Sequence, residues 1–142
     1  SEDAEFTITR SRITGNGEHG VAFKRGRGLI TDSFISGNQR NGVVILNNHE
    51  SDLRIWNCTV TYNTHHGVWR RFGNIEVRNS IVAFNGGDGL SGLKRRTNFI
   101  HSHNLCFGNA GSDWGGTEPR GIDDLPATLS SSYDSRSWGE VA

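Results

Sequence analysis

The segment LRIWNCTVTYN at residues 53–63 decides the fold, because four other segments of the chain superpose on it. They are FTITRSRITGN (6–16), GLITDSFISGN (28–38), IEVRNSIVAFN (75–85) and FIHSHNLCFGN (99–109). Every copy ends in asparagine, and successive copies are offset by 22, 25, 22 and 24 residues. The chain is therefore a repeat protein, and its 142 residues suffice for one domain.

Each copy alternates apolar and polar residues, which is typical of short β-strands rather than of helices. In four copies the final asparagine is followed by three residues, a glycine and an aliphatic residue. A unit of this length cannot bury its own apolar face, so the units must stack into an all-β solenoid with a continuous core. A β-sandwich, the alternative with similar strands, explains neither the fixed spacing nor the asparagine–glycine corners.

Three columns of residues recur at equivalent places in the copies, and we expect each to form a ladder with about 4.8 Å between neighbours. The columns are Ile8, Ile30, Ile55 and Val77; Ile13, Ile35, Val60, Val82 and Cys106; and Ser11, Ser33, Cys58, Ser80 and Asn104. Stacked asparagines should bond one another's side chains. We also expect a positive φ at the corner glycines, which are Gly20, Gly42, Gly67 and Gly89.

These columns resemble the parallel β-helix repeat of pectate-lyase-like proteins, in which aliphatic, asparagine or serine, and corner glycine positions recur in this order. The likeness covers residues 6–116, and HNLCFGN (103–109) is similar to the last rung of such domains. It implies a right-handed, three-sided parallel β-helix of about five rungs with a short C-terminal cap. The family includes polysaccharide lyases, uronan epimerases, glycoside hydrolases, phage tailspikes and proteins of no known activity, so the repeat indicates fold and not chemistry.

The sequence predicts β-helix rungs over residues 1–116 and a C-terminal cap or tail over residues 117–142. Both prolines lie in the tail, and we expect Leu125, Leu129 or Trp138 to cover the last rung. The first strand begins close to the first residue, which leaves the first rung with an unpaired edge. Either the chain is a fragment of a longer β-helix, or another chain or a packing neighbour covers that edge, with self-association as one form of this.

The formal charge is zero, but the charges are unevenly distributed along the chain. Residues 6–108 hold 13 basic and 6 acidic residues, an excess of seven positive charges, and both ends are acidic. Eight of the 15 basic residues fall in the loops that connect one rung to the next, namely Lys24, Arg25, Arg27, Arg70, Arg71, Lys94, Arg95 and Arg96. Such an edge would attract an acidic polysaccharide. The alternative is a solvated basic edge that prevents association between strands.

The three residues between each asparagine and glycine should stack as well, which brings His66 and Asp88 to within about one rung of each other. An aspartate beside a histidine commonly orients an imidazole for proton transfer near neutral pH. With Arg40 as a carboxylate clamp on the neighbouring rung, these residues are candidates for abstracting the proton alpha to a uronate carboxylate. The alternative is a solvent-facing corner on which polar side chains stack without catalysis.

Residues of the neighbouring strands and loops are candidates for substrate binding. An exposed indole stacks on a sugar ring, and cationic side chains pair with carboxylates. The candidates are Trp56, His65, Trp69, Arg70, Arg71, Lys94 and Arg95. Packing of each tryptophan under a loop or in an oligomer contact is the alternative that the sequence leaves open.

The remaining motifs support neither metal nor hydrolytic chemistry. GGDG (86–89) is similar to a calcium-binding turn, but a single copy lacks the tandem repeats that complete the coordination, so we expect no metal and no cofactor. Hydrolysis needs paired carboxylates, and acidic residues are sparse in the rungs. We expect neither nucleic acid nor membrane as a partner, because no nucleic-acid motif is present and no apolar run reaches about 18 residues.

We therefore interpret the chain as a β-helix domain that engages an acidic polysaccharide, with lyase or epimerase activity on uronate polymers as one form of that function. A non-catalytic carbohydrate-binding or structural module, or a fragment of a larger protein, is the alternative. The SEDAE start has no signal-peptide character, but a mature secreted chain would have lost its leader. The interpretation favours a secreted or cell-surface location over the cytoplasm.

Overall fold

The computed structural model of the chain describes residues 4–46, 50–92 and 99–115 together with residue 124. In these residues all regular secondary structure is β-strand, and the strands form three parallel sheets. None of the described residues belongs to a helix with the length and apolarity needed to cross a membrane. The prediction of an all-β fold is confirmed.

The three sheets take their strands from successive circuits of the chain. The first sheet contains β1 (Glu5–Thr9), β4 (Arg27–Thr31), β7 (Asp52–Trp56), β10 (Asn74–Arg78) and β13 (Phe99–Ser102). The second contains β2 (Arg12–Thr14), β5 (Phe34–Ser36), β8 (Thr59–Thr61), β11 (Ile81–Ala83) and β14 (Leu105–Phe107). The third contains β3 (Val21–Phe23), β6 (Val43–Ile45), β9 (Val68–Arg70) and β12 (Leu90–Ser91).

One rung of the solenoid is a circuit through the first, second and third sheets, after which the next rung begins. The described residues contain four complete rungs and the first two strands of a fifth. Strands of neighbouring rungs pair in parallel and in register, with Ile30 opposite both Ile8 and Ile55 in the first sheet. This topology confirms the parallel β-helix that the sequence predicts.

The predicted apolar columns line the interior of the solenoid. Ile30 and Ile55 of the first sheet, Ile35 and Val60 of the second and Val68 of the third are fully buried. Burying a side chain of this kind contributes about 1.5 to 3 kcal/mol, so stacked rungs share a core that one rung could not form.

The asparagines that end the repeats form a ladder at the corner between the second and third sheets, which we call the asparagine corner. Its interior members Asn38, Asn63 and Asn85 are buried. The backbone N–H and the side-chain amide of Asn38 both donate to Oδ1 of Asn63, at 3.1 and 2.9 Å. Asn63 makes the same two bonds to Asn85, at 3.1 and 3.0 Å. Each side chain thereby satisfies groups of two rungs, as the sequence predicts for stacked asparagines.

Carboxylates accept the last bonds of two ladders. The backbone N–H and side-chain amide of Asn109 donate to Oδ1 of Asp113, at 2.9 and 2.7 Å. In the column of small residues, the N–H of Ser80 donates to Asn104 at 3.0 Å, and that of Asn104 donates to Asp124 at 2.7 Å. An ionised carboxylate only accepts hydrogen bonds, so it can end a ladder without a partner beyond it.

The corner glycines are required by close packing, and the expectation of a positive φ at these positions is wrong, because no such angle occurs at Gly20, Gly42, Gly67 or Gly89. A Cβ atom on Gly67 would lie 2.6 Å from Cγ1 of Val82 and 2.8 Å from Nδ2 of Asn85. The left-handed conformation occurs one residue before the ladder asparagine, for example at Gly37 with φ of 67°.

Cys58 and Cys106 are buried free thiols on inward-facing columns. Burial raises the pKa of both thiols. They pack as small apolar side chains on these columns.

The proposed C-terminal cap over residues 117–142 lies outside the described residues, apart from Asp124. Leu125, Leu129 and Trp138 are therefore not placed. At the other end, β1 pairs with β4 alone among the described strands. Self-association through this edge stays a prediction.

The asparagine ladder can be tested by comparing an interior position with an end position. Asn63→Ala removes the acceptor of two bonds from Asn38 and leaves buried groups unsatisfied, so we expect the free energy of unfolding to fall by about 3 kcal/mol. Asn16 is exposed and accepts no ladder bond from an earlier described rung, so Asn16→Ala should cost less than about 1 kcal/mol. Urea denaturation measures both values, and equal losses would contradict the ladder.

Candidate functional site

The residues between each ladder asparagine and its glycine stack as the sequence predicts. Backbone hydrogen bonds join Glu18, Arg40 and His65 from rung to rung, with Arg40 N–H to Glu18 oxygen at 2.9 Å and His65 N–H to Arg40 oxygen at 3.1 Å. The next column contains His19, Asn41, His66, Asp88 and Ser112. The asparagine corner therefore presents two ordered columns of polar side chains.

Side chains of the second column form a further ladder of hydrogen bonds. The backbone N–H of His66 donates to Oδ1 of Asn41 at 2.9 Å, and that of Asp88 donates to Nδ1 of His66 at 2.9 Å. The N–H of Ser112 then donates to Oδ1 of Asp88 at 2.8 Å. Each side chain accepts from the backbone of the following rung, which is the opposite direction to the asparagine ladder.

The structure brings His66 and Asp88 together, with Nδ1 of the imidazole 3.6 Å from Oδ2 of the carboxylate. Nδ1 accepts the Asp88 backbone N–H, however, so a neutral ring carries its proton on Nε2. The other carboxylate oxygen, Oδ2, accepts the hydroxyl of Ser91 at 2.9 Å. The backbone amide, rather than the carboxylate, thus orients the imidazole.

Burial lowers the pKa of His66 below its ordinary value, and the nearby His65 acts in the same direction, while the Asp88 carboxylate opposes the shift. The ring is therefore neutral at neutral pH, and its contact with Asp88 is not an ion pair. A neutral imidazole with a proton on Nε2 presents a hydrogen-bond donor to solvent. Its only lone pair is already used within the ladder.

Arg40 points away from the histidine and the aspartate. Its Nε lies 2.9 Å from Oε2 of Glu18, which belongs to the preceding rung, whereas His66 belongs to the following one. More than half of the Arg40 side chain is exposed. An exposed pair of this kind contributes little stability, so the guanidinium can exchange its partner for a ligand carboxylate.

Trp69 and Arg71 form a cation–aromatic cluster beside the second polar column. The Trp69 ring centre is 5.5 Å from the ring centre of His66, and Cζ of Arg71 lies 5.1 Å from the Trp69 centre. Arg71 also approaches the ring of Phe72, at 5.8 Å. His65 is exposed on the neighbouring column. The structure thus brings together four of the predicted residues, namely His65, His66, Trp69 and Arg71.

Arg70 requires a correction, because it lies inside the solenoid and not on the basic edge. It is opposite Ile45 in the third sheet, on an inward-facing column, and only 8% of it is exposed. Its guanidinium donates to the carbonyl oxygen of Gly73 at 3.2 Å. Arg70 aligns with Phe23 and Ile45 in the neighbouring rungs, and this alignment indicates an inward position. The prediction was wrong because it relied on the basic composition of the adjoining loop.

Trp56 lies in the first sheet, apart from Trp69 in the third, although both belong to the same rung. It lines a cleft of about 500 Å³ on the outer face of the first sheet. The lining residues are Glu5, Phe6, Thr7, Arg27, Gly28, Leu29, Asp52, Arg54 and Trp56. This first-sheet cleft was not predictable from the sequence, because its polar residues come from three rungs and share no motif.

Lys94 and Arg95 lie outside the described residues, as does most of the basic loop that contains them. Their assignment to substrate binding stays a prediction. Within the described residues, no group of three or more histidine, cysteine, aspartate or glutamate side chains could hold a metal ion. Asp88 of the GGDG segment is instead a member of the second polar ladder.

Comparison with known proteins adds information on the fold. A family model described as the right-handed β-helix region matches residues 1–120, which is most of the chain. The match supplies the handedness that the resemblance implied. No curated protein and no solved structure matches the chain.

The pH dependence of stability tests the neutral state of His66. Because burial lowers the folded-state pKa, the unfolded chain binds a proton at higher pH than the folded protein does. The free energy of unfolding should therefore fall as the pH drops below about 6.5 and through the folded-state pKa. Asn41 accepts the equivalent ladder bond one rung earlier, so His66→Asn should keep the fold and reduce this pH dependence.

Urea denaturation between about pH 5 and pH 8 measures the effect in both proteins. The pKa of His19 is also lowered, chiefly by burial, so part of the pH dependence should remain in the variant. Identical pH profiles for the two proteins would contradict the assignment to His66.

Proposed function

The chain belongs to the right-handed β-helix family, and we propose that it binds an acidic polysaccharide on the outer surface of the β-helix. The observation that carries the proposal is the first-sheet cleft, in which Arg27, Arg54 and Trp56 line a volume of about 500 Å³. This volume lies in the range of small-molecule sites, about 300 to 1,000 Å³, and accommodates a short stretch of polymer.

Arg54 supplies the group for a carboxylate in this cleft. Its Cζ atom lies 5.8 Å from the ring centre of Trp56, and its Nε is 3.7 Å from Oε2 of Glu76. About half of the side chain is exposed, so solvent weakens the pair with Glu76. A uronate carboxylate can therefore replace Glu76 and bind the planar guanidinium through two parallel hydrogen bonds.

Trp56 supplies an apolar ring with an unsatisfied donor. Its Nε1 atom is buried, and no acceptor among the described residues lies within hydrogen-bond distance. A buried donor without a partner is costly, so a small movement that lets a sugar hydroxyl accept from it is favourable. The ring itself offers a surface for the C–H face of a sugar.

Glu5 and Asp52 add acceptors to the same cleft. Oε1 of Glu5 is 3.9 Å from the guanidinium of Arg27, and both side chains are largely exposed. Donors and acceptors in one cleft suit a ligand that carries hydroxyl groups as well as a carboxylate. This mixture supports a polysaccharide over a simple polyanion.

The cluster of His65, Trp69 and Arg71 at the asparagine corner is a second binding surface in this proposal, for the same class of polymer. The Trp69 ring centre lies 5.5 Å from that of His66 and 5.1 Å from Cζ of Arg71. His65 is the exposed chain neighbour of His66. Arg40 on the neighbouring column is the additional cation.

We give binding priority over lyase or epimerase activity. Either reaction requires a base that removes the proton alpha to a carboxylate. The candidate base is His66, whose Nδ1 lies 3.6 Å from Oδ2 of Asp88. The lone pair of His66 accepts a backbone N–H, and Asp88 accepts two further hydrogen bonds. Catalysis would therefore need the ladder to open, whereas binding needs no rearrangement of it.

Binding can be tested by affinity electrophoresis in gels that contain pectate, alginate or a glycosaminoglycan, with an uncharged glucan as the control polymer. The wild type should be retarded by at least one acidic polymer. Arg54→Ala should weaken that binding about tenfold, because it removes a charge-assisted pair. Added salt should weaken it as well.

Arg78→Ala is the matched control, since Arg78 is also half-exposed and lies beside Glu76 but does not line the cleft. Arg71→Ala tests the second surface, because Arg71 lies over Trp69 at the asparagine corner. Loss of binding in this variant alone would assign the polymer to the asparagine corner. Absorbance of unsaturated uronate, followed in the same mixtures, should stay constant. A wild-type protein that no acidic polymer retards would contradict the proposed function.

A further inference from the structure

Five residues immediately before the ladder asparagines share a left-handed backbone conformation, but they differ in side chain. Gly15, Gly37 and Gly108 have φ values of 70, 67 and 66°, whereas Tyr62 and Phe84 have 53 and 55°. A bulky residue in this conformation is strained, and glycine is not. Two of the five rungs thus retain an aromatic residue where the fold favours glycine.

The two strained aromatic residues are also exposed and stacked on each other. Tyr62 is 63% exposed and Phe84 is 45% exposed. Their ring centres are 5.4 Å apart, with 20° between the ring planes. Half-exposed rings gain only part of the free energy of burial. Packing alone therefore does not explain why aromatic residues occupy these strained backbone positions.

The stack leans toward the C-terminal end of the solenoid. A Cβ atom on Gly108 would lie 2.6 Å from Cε1 of Phe84, so the absence of a side chain there lets the Phe84 ring lie over the following rung. Phe84 also contacts the edge of Phe107, with 5.1 Å between the ring centres. Tyr62, which belongs to the preceding rung, stacks on the ring of Phe84.

The next position along the stack is open. No atom beyond the chain neighbours lies within 4 Å of the Cβ position of either Gly37 or Gly15. One face of the Tyr62 ring packs on Phe84 of the following rung, so its other face lies on the side of the preceding rung, which contains Gly37. Rungs are spaced by about 4.8 Å, so the two glycines leave room for one flat ring against Tyr62.

Two arginines belong to the segments that flank this open position. Arg12 belongs to the second sheet, and its Cζ atom is 5.5 Å from the ring centre of Phe34, three residues before Gly37. Arg40 follows Gly37 by three residues at the asparagine corner. Arg40 pairs with Glu18 at 2.9 Å, and solvent weakens this exposed pair, so a ligand carboxylate can take the place of Glu18. The two arginines therefore favour an anionic ring at this position.

We propose that the free face of Tyr62, above Gly37, is a stacking subsite for one uronate ring of the acidic polysaccharide. The ring lies on Tyr62 as a further member of the stack, and its carboxylate binds Arg40 or Arg12. A pyranose has an apolar C–H face and a charged edge, which matches the phenol ring and the flanking guanidinium groups. The inference rests on the proposed function, but this subsite is separate from the first-sheet cleft.

The test uses the full chain and isothermal titration with short oligosaccharides of pectate, alginate and a glycosaminoglycan. Tyr62→Gly removes the ring, and glycine is the residue best suited to the left-handed conformation, so the fold should persist. We expect the affinity to fall about three- to tenfold, the size of one lost aromatic stack. Tyr62→Phe should retain the affinity.

Blocking the open position is a second, independent variant. Asparagine tolerates the left-handed conformation, and Gly37→Asn places a side chain where the sugar would lie, so the affinity should fall as in Tyr62→Gly. Ile100→Ala, which alters an exposed apolar side chain of the first sheet outside the cleft lining, is the matched control and should bind as the wild type does. Thermal denaturation establishes that every variant is folded.

The outcomes separate this subsite from the proposed function. Normal binding by folded Tyr62→Gly and Gly37→Asn, together with weak binding by Arg54→Ala, would overturn the subsite and leave the proposed function intact. A wild-type protein that binds none of the oligosaccharides would overturn both. Weaker binding by Tyr62→Gly and Gly37→Asn, with Ile100→Ala unchanged, supports the subsite.

Discussion

Each buried asparagine at the corner after the second sheet accepts two hydrogen bonds from the preceding rung and donates two to the following one. A few residues along the chain, a second ladder through Asn41, His66 and Asp88 runs in the opposite direction. Both ladders join neighbouring rungs at this corner and fix its length. An inserted residue there would therefore break both ladders. Changes in rung length are confined to the loops after the third sheet.

This constraint determines where functional side chains can lie. Strand register places each outward residue above its counterpart in the neighbouring rung, and the solenoid becomes a rigid frame for aligned side chains. The first-sheet cleft and the stack of Tyr62 and Phe84 both arise in this way, from residues far apart in sequence. Their chemistry differs from that of the ladders, because ladder groups already satisfy one another and ligand-binding groups must remain available.

The repeat was enough to predict the fold, because asparagine, glycine and aliphatic residues recur where inward packing requires them. The site was only partly predictable. Arg70 was misplaced because its loop neighbours are basic, whereas its register with Ile45 buries it. The role of His66 depends on which hydrogen bond its Nδ1 accepts, and spacing along the chain carries no information on that bond. The aromatic stack was missed because only the backbone angles reveal the strain at Tyr62.

Amide hydrogen exchange of the ladder asparagines tests the central claim most directly. The backbone N–H groups of Asn38 and Asn63 donate to buried side-chain oxygens, and that of Asn85 donates to the half-buried Asn109. All three should exchange only through global unfolding, as slowly as the amides of the central strands. The N–H of Gly17, at an exposed position of the same corner, should exchange quickly. Exchange of the three asparagine amides at the rate of Gly17 would contradict the ladder and the register that depends on it.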